Sequence, residues 1–240
     1  MTRTALVTGG SRGIGAAICQ ELQRQGVRVA ANHRGDMVSA ERFHAATGIP
    51  VFQWDVADPD ACVDGVAAVR QALGPIDILV NNAGITRDAS IAKMSWDMWN
   101  EVIRTNLGGC FNMCKSVFPD MRERAWGRIV NIGSINGQAG QFGQVNYCAA
   151  KAGVQGLTKA LAQEGARFGV TVNVVAPGYT DTEMVAAVPA EILEQIVARI
   201  PTKRLGRPEE IASAVAWLCR EDSGQITGST LSINGGQYMY

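Results

Sequence analysis

The chain has 240 residues, 47% of them hydrophobic and 18% charged, and its 22 basic side chains balance 22 acidic ones. A neutral chain has no long-range field that attracts nucleic acid or an anionic membrane, so any anionic ligand must be held by local groups. The six cysteines are scattered through segments with helical patterns, which is typical of reduced, packed thiols. Cys110 and Cys114 have no further Cys or His at ligand spacing, so we predict no metal site. The first residues leave no room for a signal peptide, and we expect a cytoplasmic protein.

Short β-branched apolar runs alternate with longer amphipathic ones, a pattern typical of repeated strand, helix, strand units. The predicted strands cover residues 5–8, 27–32, 51–54, 76–81, 127–132, 170–175 and 230–233. The clearest predicted helices cover residues 15–25, 61–73, 111–124, 147–168 and 208–219. This order predicts an α/β fold, a Rossmann-like, doubly wound parallel sheet of about seven strands flanked by helices in three layers. We expect residues 1–240 to form one domain.

A long segment, residues 181–207, separates the sixth predicted strand from the last predicted helix and contains a helical patch that starts at Pro189. Long excursions at the carboxyl edge of a parallel sheet often cover a ligand crevice. We therefore predict that this segment is a mobile lid.

A glycine-rich loop joins the first predicted strand to the first helix. Gly9, Gly13 and Gly15 permit a tight turn, and the helix start offers N–H groups and a positive dipole end to a pyrophosphate. Glycine turns also occur for purely conformational reasons. The position after the first strand nevertheless favours a dinucleotide site in this loop, with Ser11, Arg12 and Ile14 among its residues.

The residues after the second strand bear on the choice of cofactor. An acidic side chain there would bind the ribose hydroxyls of NAD, whereas Arg34 can bind the 2′-phosphate of NADP, with Arg12 approaching from the other side. Asp36 is the one nearby acid, and we expect it to point toward the following helix. The residues therefore predict NADPH. The alternative is that both arginines are ordinary solvated surface residues.

Tyr147 and Lys151 are four residues apart, so their side chains lie on the same face of a helix. A tyrosine, whose ordinary pKa is about 10, is a poor acid–base catalyst near neutrality unless a nearby cation stabilises its phenolate. The lysine supplies that cation. The pair predicts an enzyme that protonates a carbonyl oxygen while a bound nucleotide delivers a hydride.

Together these features resemble the short-chain dehydrogenase/reductase superfamily over the whole length of the chain. The matching motifs are Thr8-Gly-Gly-Ser-Arg-Gly-Ile-Gly15, Asp55-Val56, Asn81-Asn-Ala-Gly84, Asn106, Ser134, Tyr147-x-x-x-Lys151, Pro177-Gly178 and Asn234-Gly-Gly236. The resemblance implies a catalytic tetrad of Asn106, Ser134, Tyr147 and Lys151. In it, Tyr147 is the general acid, Ser134 a second donor to the oxyanion, and Lys151 holds the nicotinamide ribose, while Asn106 positions a water.

The resemblance also implies further cofactor contacts. It places adenine beside Asp55 and Val56 and the carboxamide near the loop after the sixth strand. The residues so implied, besides Tyr147, Lys151 and the glycine loop, are Asp55, Val56, Asn82, Ala83, Gly84, Pro177, Gly178 and Thr180. A nucleotide sensor or scaffold without catalysis is compatible with the fold alone, but the complete tetrad argues against it.

Within the superfamily, the segments 84–88, 126–130, 131–147 and 200–206 are similar to those of acetoacetyl-CoA reductases. This implies NADPH-dependent reduction of acetoacetyl-CoA to (R)-3-hydroxybutyryl-CoA, which supplies polyhydroxybutyrate synthesis. The residues expected at the substrate are Asp88, Gln141, Phe142, Gln144 and Tyr179. They can also be read as ordinary loop residues.

The main alternative is 3-oxoacyl-acyl carrier protein reductase, which needs a basic patch to dock its acidic carrier. Arg122, Arg124 and Arg128 are candidates for such a patch, although they can equally be solvated charges at a helix end. Members of the superfamily are usually homotetramers that pair the helices predicted here at residues 111–124 and 147–168. The same apolar faces would suit an intrachain core, so the sequence leaves the assembly open.

Overall fold

A seven-stranded parallel sheet runs through the centre of the computed structural model, which describes residues 2–186 and 189–239. The strands are β1 (Thr4–Val7), β2 (Arg28–His33), β3 (Val51–Gln53), β4 (Ile78–Asn81), β5 (Gly127–Ile132), β6 (Val170–Pro177) and β7 (Thr230–Ile233). Their order across the sheet is β3-β2-β1-β4-β5-β6-β7, and every neighbouring pair is parallel. The order reverses between β1 and β4, which opens a crevice at the carboxyl ends of the strands.

Helices cover both faces of the sheet. They are α1 (Gly13–Arg24), α2 (Met37–Thr47), α3 (Pro59–Leu73), α4 (Trp96–Ile103), α5 (Gly109–Glu123), α6 (Asn136–Ala139), α7 (Val145–Gly165), α8 (Glu183–Ala186), α9 (Ala190–Arg199) and α10 (Pro208–Leu218). A π-helical turn, Arg104–Gly108, joins α4 to α5, and 3₁₀ turns occupy Ala166–Phe168 and Glu221–Ser223. The predicted fold class is confirmed.

Alternate residues of the strands face two separate apolar cores. Val7 packs with Ile18 and Ile211 on the side of α1 and α10, whereas Leu6 packs with Met113 and other residues of α3 and α5 on the opposite side. Such burial on both faces is the reason why the strands read as continuous apolar runs. Five of the six cysteines are buried in or beside these cores, and the sixth, Cys148, is half-buried.

Four helices were not predicted, namely α2, α4, α6 and α8. Helix α2 has a weak apolar stripe but a clear start, since Asp36 accepts a hydrogen bond from the Ser39 amide at 3.1 Å. Helix α4 is only eight residues long, and Ser95 caps it in the same way through the Met98 amide. Helix α6 is a single turn. A short or weakly amphipathic helix leaves little periodicity to detect.

The predicted lid contains α8 and α9, and its residues 187–188 lie outside the described residues. None of the residues of α9 is buried, and Ile192 is 50% exposed. Whether the segment moves stays a prediction. In the described ranges, no helix combines the length and the apolar character needed to span a bilayer.

Gly65, on α3, packs directly against the ring of the buried Trp54, where an added Cβ would lie 2.4 Å from ring carbon Cδ2. Gly65→Ala should therefore destabilise the fold, because overpacking costs about 1–3 kcal/mol and exceeds the gain in helix propensity of about 0.5–1 kcal/mol. The measurement is the urea midpoint of unfolding. Gly35→Ala is the control, since nothing lies within 4 Å of its added carbon. An unchanged or higher midpoint for Gly65→Ala would contradict this account of the packing.

Candidate active site

The glycine loop between β1 and α1 has a conformation that only glycine adopts without strain at two positions. Gly9 and Gly13 have φ of +60° and +52°. At Gly15 the limit is space, because a Cβ would lie 2.1 Å from the Gly9 carbonyl oxygen. The loop thus brings the first amides of α1 to the carboxyl edge of the sheet, where they can bind an anion.

The loop after β4 is joined to the glycine loop by four hydrogen bonds of 3.0 Å. Asn82 Nδ2 donates to the carbonyls of Thr8 and Gly9, and Thr8 Oγ1 accepts from the amides of Asn82 and Ala83. Both protons of the Asn82 amide are therefore used within the protein. Its side chain therefore holds the two loops together.

Asp36, in the short loop between β2 and α2, forms an ion pair with Arg12 that the sequence did not predict. Asp36 accepts from the Ser39 amide, as expected from its position, but its Oδ2 also lies 3.6 Å from Arg12 Nη1. The hydrogen bonds from Ser39 are the main cause that lowers the pKa of Asp36, and the positive charge of Arg12 adds to it. Arg12 therefore already has an acidic partner at the position where a 2′-phosphate was predicted.

Arg34 and Asp55, both predicted cofactor residues, line a groove of about 410 Å³ together with residues from the α4 side. The full lining is Arg34, Asp55, Ala57, Asp97, Asn100, Glu101, Arg104 and Thr105. The α4 residues were missed because that helix was not predicted. Val56, in contrast, is buried, and its carbonyl accepts from Asn112 Nδ2 at 2.9 Å, so its side chain belongs to the packing beneath the groove.

Tyr147 and Lys151 lie one turn apart near the start of α7, with the ammonium nitrogen 5.6 Å from the centroid of the tyrosine ring. Lys151 is 4% exposed, and its Nζ donates to the Ile132 carbonyl at 2.7 Å. That bond uses one of three donors of the ammonium group. The cation is thus held beside the phenol at the end of β5, with donors left for other oxygens.

Asn106 lies in the π-helical turn, a feature that often marks functional sites. Its Oδ1 accepts from the Ile85 amide at 2.8 Å and its Nδ2 donates to the Ile85 carbonyl at 2.9 Å. A Cβ on Gly84 would lie 3.3 Å from Asn106 Oδ1 and 3.7 Å from Lys151 Nζ. Gly84 therefore leaves open the space between these two side chains.

Ser134 lies two residues after the end of β5 and is buried. Its Oγ accepts from the Asn136 amide at 3.1 Å, which leaves the hydroxyl proton free to be donated elsewhere. Gly137 is packed so closely on α7 that a Cβ there would lie 2.8 Å from Lys151 Cβ. The segment that carries Ser134 and the helix that carries Tyr147 and Lys151 are thus in direct contact.

Of the five predicted substrate residues, Asp88 and Gln144 are hydrogen-bonded to each other, and three, Asp88, Gln141 and Phe142, are exposed. Gln144 Nε2 donates to Asp88 Oδ2 at 2.8 Å. Burial raises the pKa of the half-buried Tyr179, and the negative charge of Asp88 raises it further. Phe142 is 90% exposed, and Gln141 is exposed as well.

The loop after β6 reaches back to the glycine loop. A Cβ on Gly13 would lie 3.7 Å from the methyl carbon of Thr182. Gly178 donates its amide to the Ile233 carbonyl at 2.9 Å, and Thr180 Oγ1 donates to the Gly178 carbonyl at 3.2 Å. The predicted residues Pro177, Gly178 and Thr180 thus lie across the crevice from the start of α1. Ser11 is buried in the glycine loop, and Ile14 packs against the α1 core.

Two functional candidates escaped the sequence analysis although they adjoin predicted residues. Asn146, just before Tyr147, is fully buried, and its Nδ2 donates to the carbonyls of Arg87 and Met98, while its Oδ1 accepts from the Tyr147 amide. Asn136 contacts both Ser134 and Gln144. An asparagine beside a catalytic residue carries no distinctive spacing, so nothing in the sequence singled them out.

The three arginines that were candidates for a basic docking patch all have partners within the chain. Arg124 is bound to Asp77 and Asp120, and the guanidinium of Arg122 is stacked on Phe118 and Phe168. Arg128 is 3% exposed and donates to backbone carbonyls. All three lie where α5 ends and β5 begins, at the edge of the sheet opposite the crevice.

Comparisons with known proteins agree with this geometry. The sequence profile of the family described as enoyl-(acyl carrier protein) reductase matches residues 9–237. The chain belongs to this family of short-chain dehydrogenases/reductases.

Its relatives include the acetoacetyl-CoA reductases of Rhizobium meliloti and Shinella zoogloeoides, which are 62% and 59% identical over 240 residues, with all of each chain covered. A 3-oxoacyl-acyl-carrier-protein reductase of Salmonella typhimurium is 44% identical over 239 residues, covering 99% of this chain and 98% of the relative.

Proposed function

We propose that this protein is an acetoacetyl-CoA reductase that uses NADPH to form (R)-3-hydroxybutyryl-CoA. The observation that carries the proposal is the buried Lys151 ammonium 5.6 Å from the Tyr147 ring, at the edge of the sheet where the glycine loop also lies. Several relatives of high identity are acetoacetyl-CoA reductases, which specifies the carbonyl substrate.

The four residues of the tetrad have the following roles in the proposed reaction. Tyr147 donates its phenolic proton to the keto oxygen, and Ser134 donates a second hydrogen bond to the charge that develops there. The Lys151 ammonium stabilises the phenolate left behind and binds the ribose hydroxyls with its remaining donors. Asn106 shapes the adjoining turn, from which a water can reach Lys151. NADPH, when bound, supplies the hydride to the keto carbon.

The residues present suit NADPH. The glycine loop offers the amides of α1 to the pyrophosphate, and Gly84 leaves open the space beside Lys151. Arg12 and Arg34 are the residues proposed to bind the 2′-phosphate, and Asp55 borders the groove proposed for the adenosine.

The thioester end is proposed to lie among Asp88, Gln144 and Tyr179, with Gln141 and Phe142 at the exposed rim. The alternative, 3-oxoacyl-acyl carrier protein reductase, loses support because the three arginines suggested for carrier docking are bound internally at the opposite edge. Supply of polyhydroxybutyrate synthesis, a cytoplasmic location and a single domain over residues 1–240 are the further parts of this proposal.

The decisive experiment compares NADPH oxidation with acetoacetyl-CoA and with acetoacetyl carrier protein, using the wild type and Tyr147→Phe. We expect the CoA thioester to be preferred, and the variant to lose about 10²–10⁴-fold in kcat because the general acid is gone. NADPH binding, followed by fluorescence titration, should be unchanged and controls for folding. Preference for the carrier thioester would favour the alternative, and retained turnover by the variant would remove Tyr147 from its role.

A second prediction concerns the Arg12–Asp36 ion pair. Asp36→Asn keeps a residue that caps α2 but removes a negative charge from the proposed phosphate site and frees Arg12. We expect the KM for NADPH to fall roughly two- to fivefold, an effect that salt weakens, while the KM for NADH changes less. Arg34→Ala should act in the opposite direction. Equal changes for the two cofactors would contradict this arrangement.

The homotetramer is also a proposal. Helix α7 exposes a row of small residues, Ala149, Ala152, Gly156 and Ala160, and Phe111 on α5 is 53% exposed. Nothing lies within 4 Å of a Cβ added to Gly156, so Gly156→Arg should not disturb the single chain. If α7 packs on its copy, the variant should lower the mass measured by light scattering. Ala67→Arg, on an exposed face of α3, is the matched control, and an unchanged mass for Gly156→Arg would argue against this interface.

A further inference from the structure

Gln144 is the last residue before α7, yet its side chain does not cap that helix. Its amide lies instead between two polar side chains from different segments. Gln144 Nε2 donates to Asp88 Oδ2 at 2.8 Å, and Gln144 Oε1 accepts from Asn136 Nδ2 at 2.8 Å. The three side chains form a continuous hydrogen-bonded relay that crosses the proposed thioester site.

The carboxylate gives this relay a direction. A carboxylate only accepts hydrogen bonds, so the Nε2 end of Gln144 must face Asp88. The Oε1 end then faces Asn136, which in turn must present its NH₂ group. Each amide is thereby held in one of its two possible orientations. One amide hydrogen and one oxygen lone pair of Gln144 remain for a ligand.

Asn136 is also tied to the catalytic side of the crevice. Its backbone amide donates to Ser134 Oγ at 3.1 Å, so the same residue contacts a proposed oxyanion donor and the proposed thioester ligand. Hydrogen bonds of residues near Asn136 in the chain fix the position of Asn136. The preceding residue, Ile135, donates its amide to the Pro177 carbonyl at 2.9 Å, and Gln138 exchanges hydrogen bonds with Ser232 on β7.

A 3-oxoacyl thioester has two carbonyl groups separated by one carbon, and each needs its own hydrogen-bond donor. We propose that Asn136 is a positioning residue that fixes Ser134 and the amide orientation of Gln144 relative to each other, so that the site accepts the two carbonyls together. This inference rests on the proposed function. It assigns to Asn136 a role in substrate affinity without contact to the reacting atoms.

Reversing the relay tests the proposal. In Asp88→Asn/Asn136→Asp the charge and the number of hydrogen bonds are kept, but residue 88 now donates and residue 136 accepts, so Gln144 must turn its amide over. Asn136→Asp alone places carboxylates at both ends of one amide and should lower the melting temperature. The double variant should regain the melting temperature of the wild type.

The kinetic expectation differs from the thermal one. With its amide reversed, Gln144 presents the wrong group to the thioester, and the KM for acetoacetyl-CoA should stay roughly tenfold above the wild type. The value of kcat should change far less, because Tyr147 and the hydrogen bond from the residue 136 amide to Ser134 are untouched. NADPH affinity should not change.

Recovery of both the melting temperature and the KM would overturn the proposal, since the relay would then serve folding alone. If the double variant does not regain its melting temperature, Asn136→Ala supplies the test. It keeps the backbone bond to Ser134 and should raise the KM severalfold, and a wild-type KM would refute the role. A wild type that reduces no 3-oxoacyl thioester would instead refute the proposed function, which keeps the two failures distinct.

Discussion

The burial of one ammonium group is the interaction on which the crevice depends. Removing a charged group from water is costly unless it is paired or hydrogen-bonded. The hydrogen bond from Lys151 Nζ to the Ile132 carbonyl offsets part of this cost, and the ammonium group lies beside the electron-rich ring of Tyr147. Its remaining donors require oxygen partners, and this requirement makes the crevice receptive to a ligand with hydroxyl groups.

The sheet supplies the rigid support for this arrangement. Beneath the crevice, Asn81 Nδ2 donates to Asn131 Oδ1, and Asn131 Nδ2 donates to Thr158 Oγ1, both at 2.8 Å. These buried amides join β4, β5 and α7 at one level. These hydrogen bonds hold the strand ends and the catalytic helix in one relative position, and Asn81 Oδ1 is left without a hydrogen-bond partner among the described residues. A network of buried polar side chains thus lies beneath the polar crevice.

Much of the fold could be predicted because strong local patterns agree with the tertiary structure. The strand at residues 127–132 was placed correctly, and α10 begins at the predicted Pro208. Helices α2 and α4 were missed since their stability depends on caps and packing more than on periodicity.

In the site, the spacing of four residues identified Tyr147 and Lys151. Side-chain pairs that form only through tertiary contacts could not be predicted from the sequence. The ion pair of Arg12 with Asp36 and the internal bonding of Arg124 and Arg128 are examples. A charged residue in sequence carries no sign of whether its partner is a ligand or a neighbouring side chain.

The π-helical turn between α4 and α5 has a geometric consequence. Residues 96–123 form one continuous helix, in which the π-helical turn accommodates one residue more than a regular α-helix of the same length would contain. Each residue of an α-helix turns the chain by about 100°. If the same residues adopted regular α-helical geometry throughout Arg104–Gly108, the α4 portion would be rotated by about that angle relative to α5. Asn106 could then no longer form its two hydrogen bonds with Ile85. The π-helical turn thus sets the rotation of α4 relative to α5, so that one continuous helix packs in the core and also places Asn106 at the crevice.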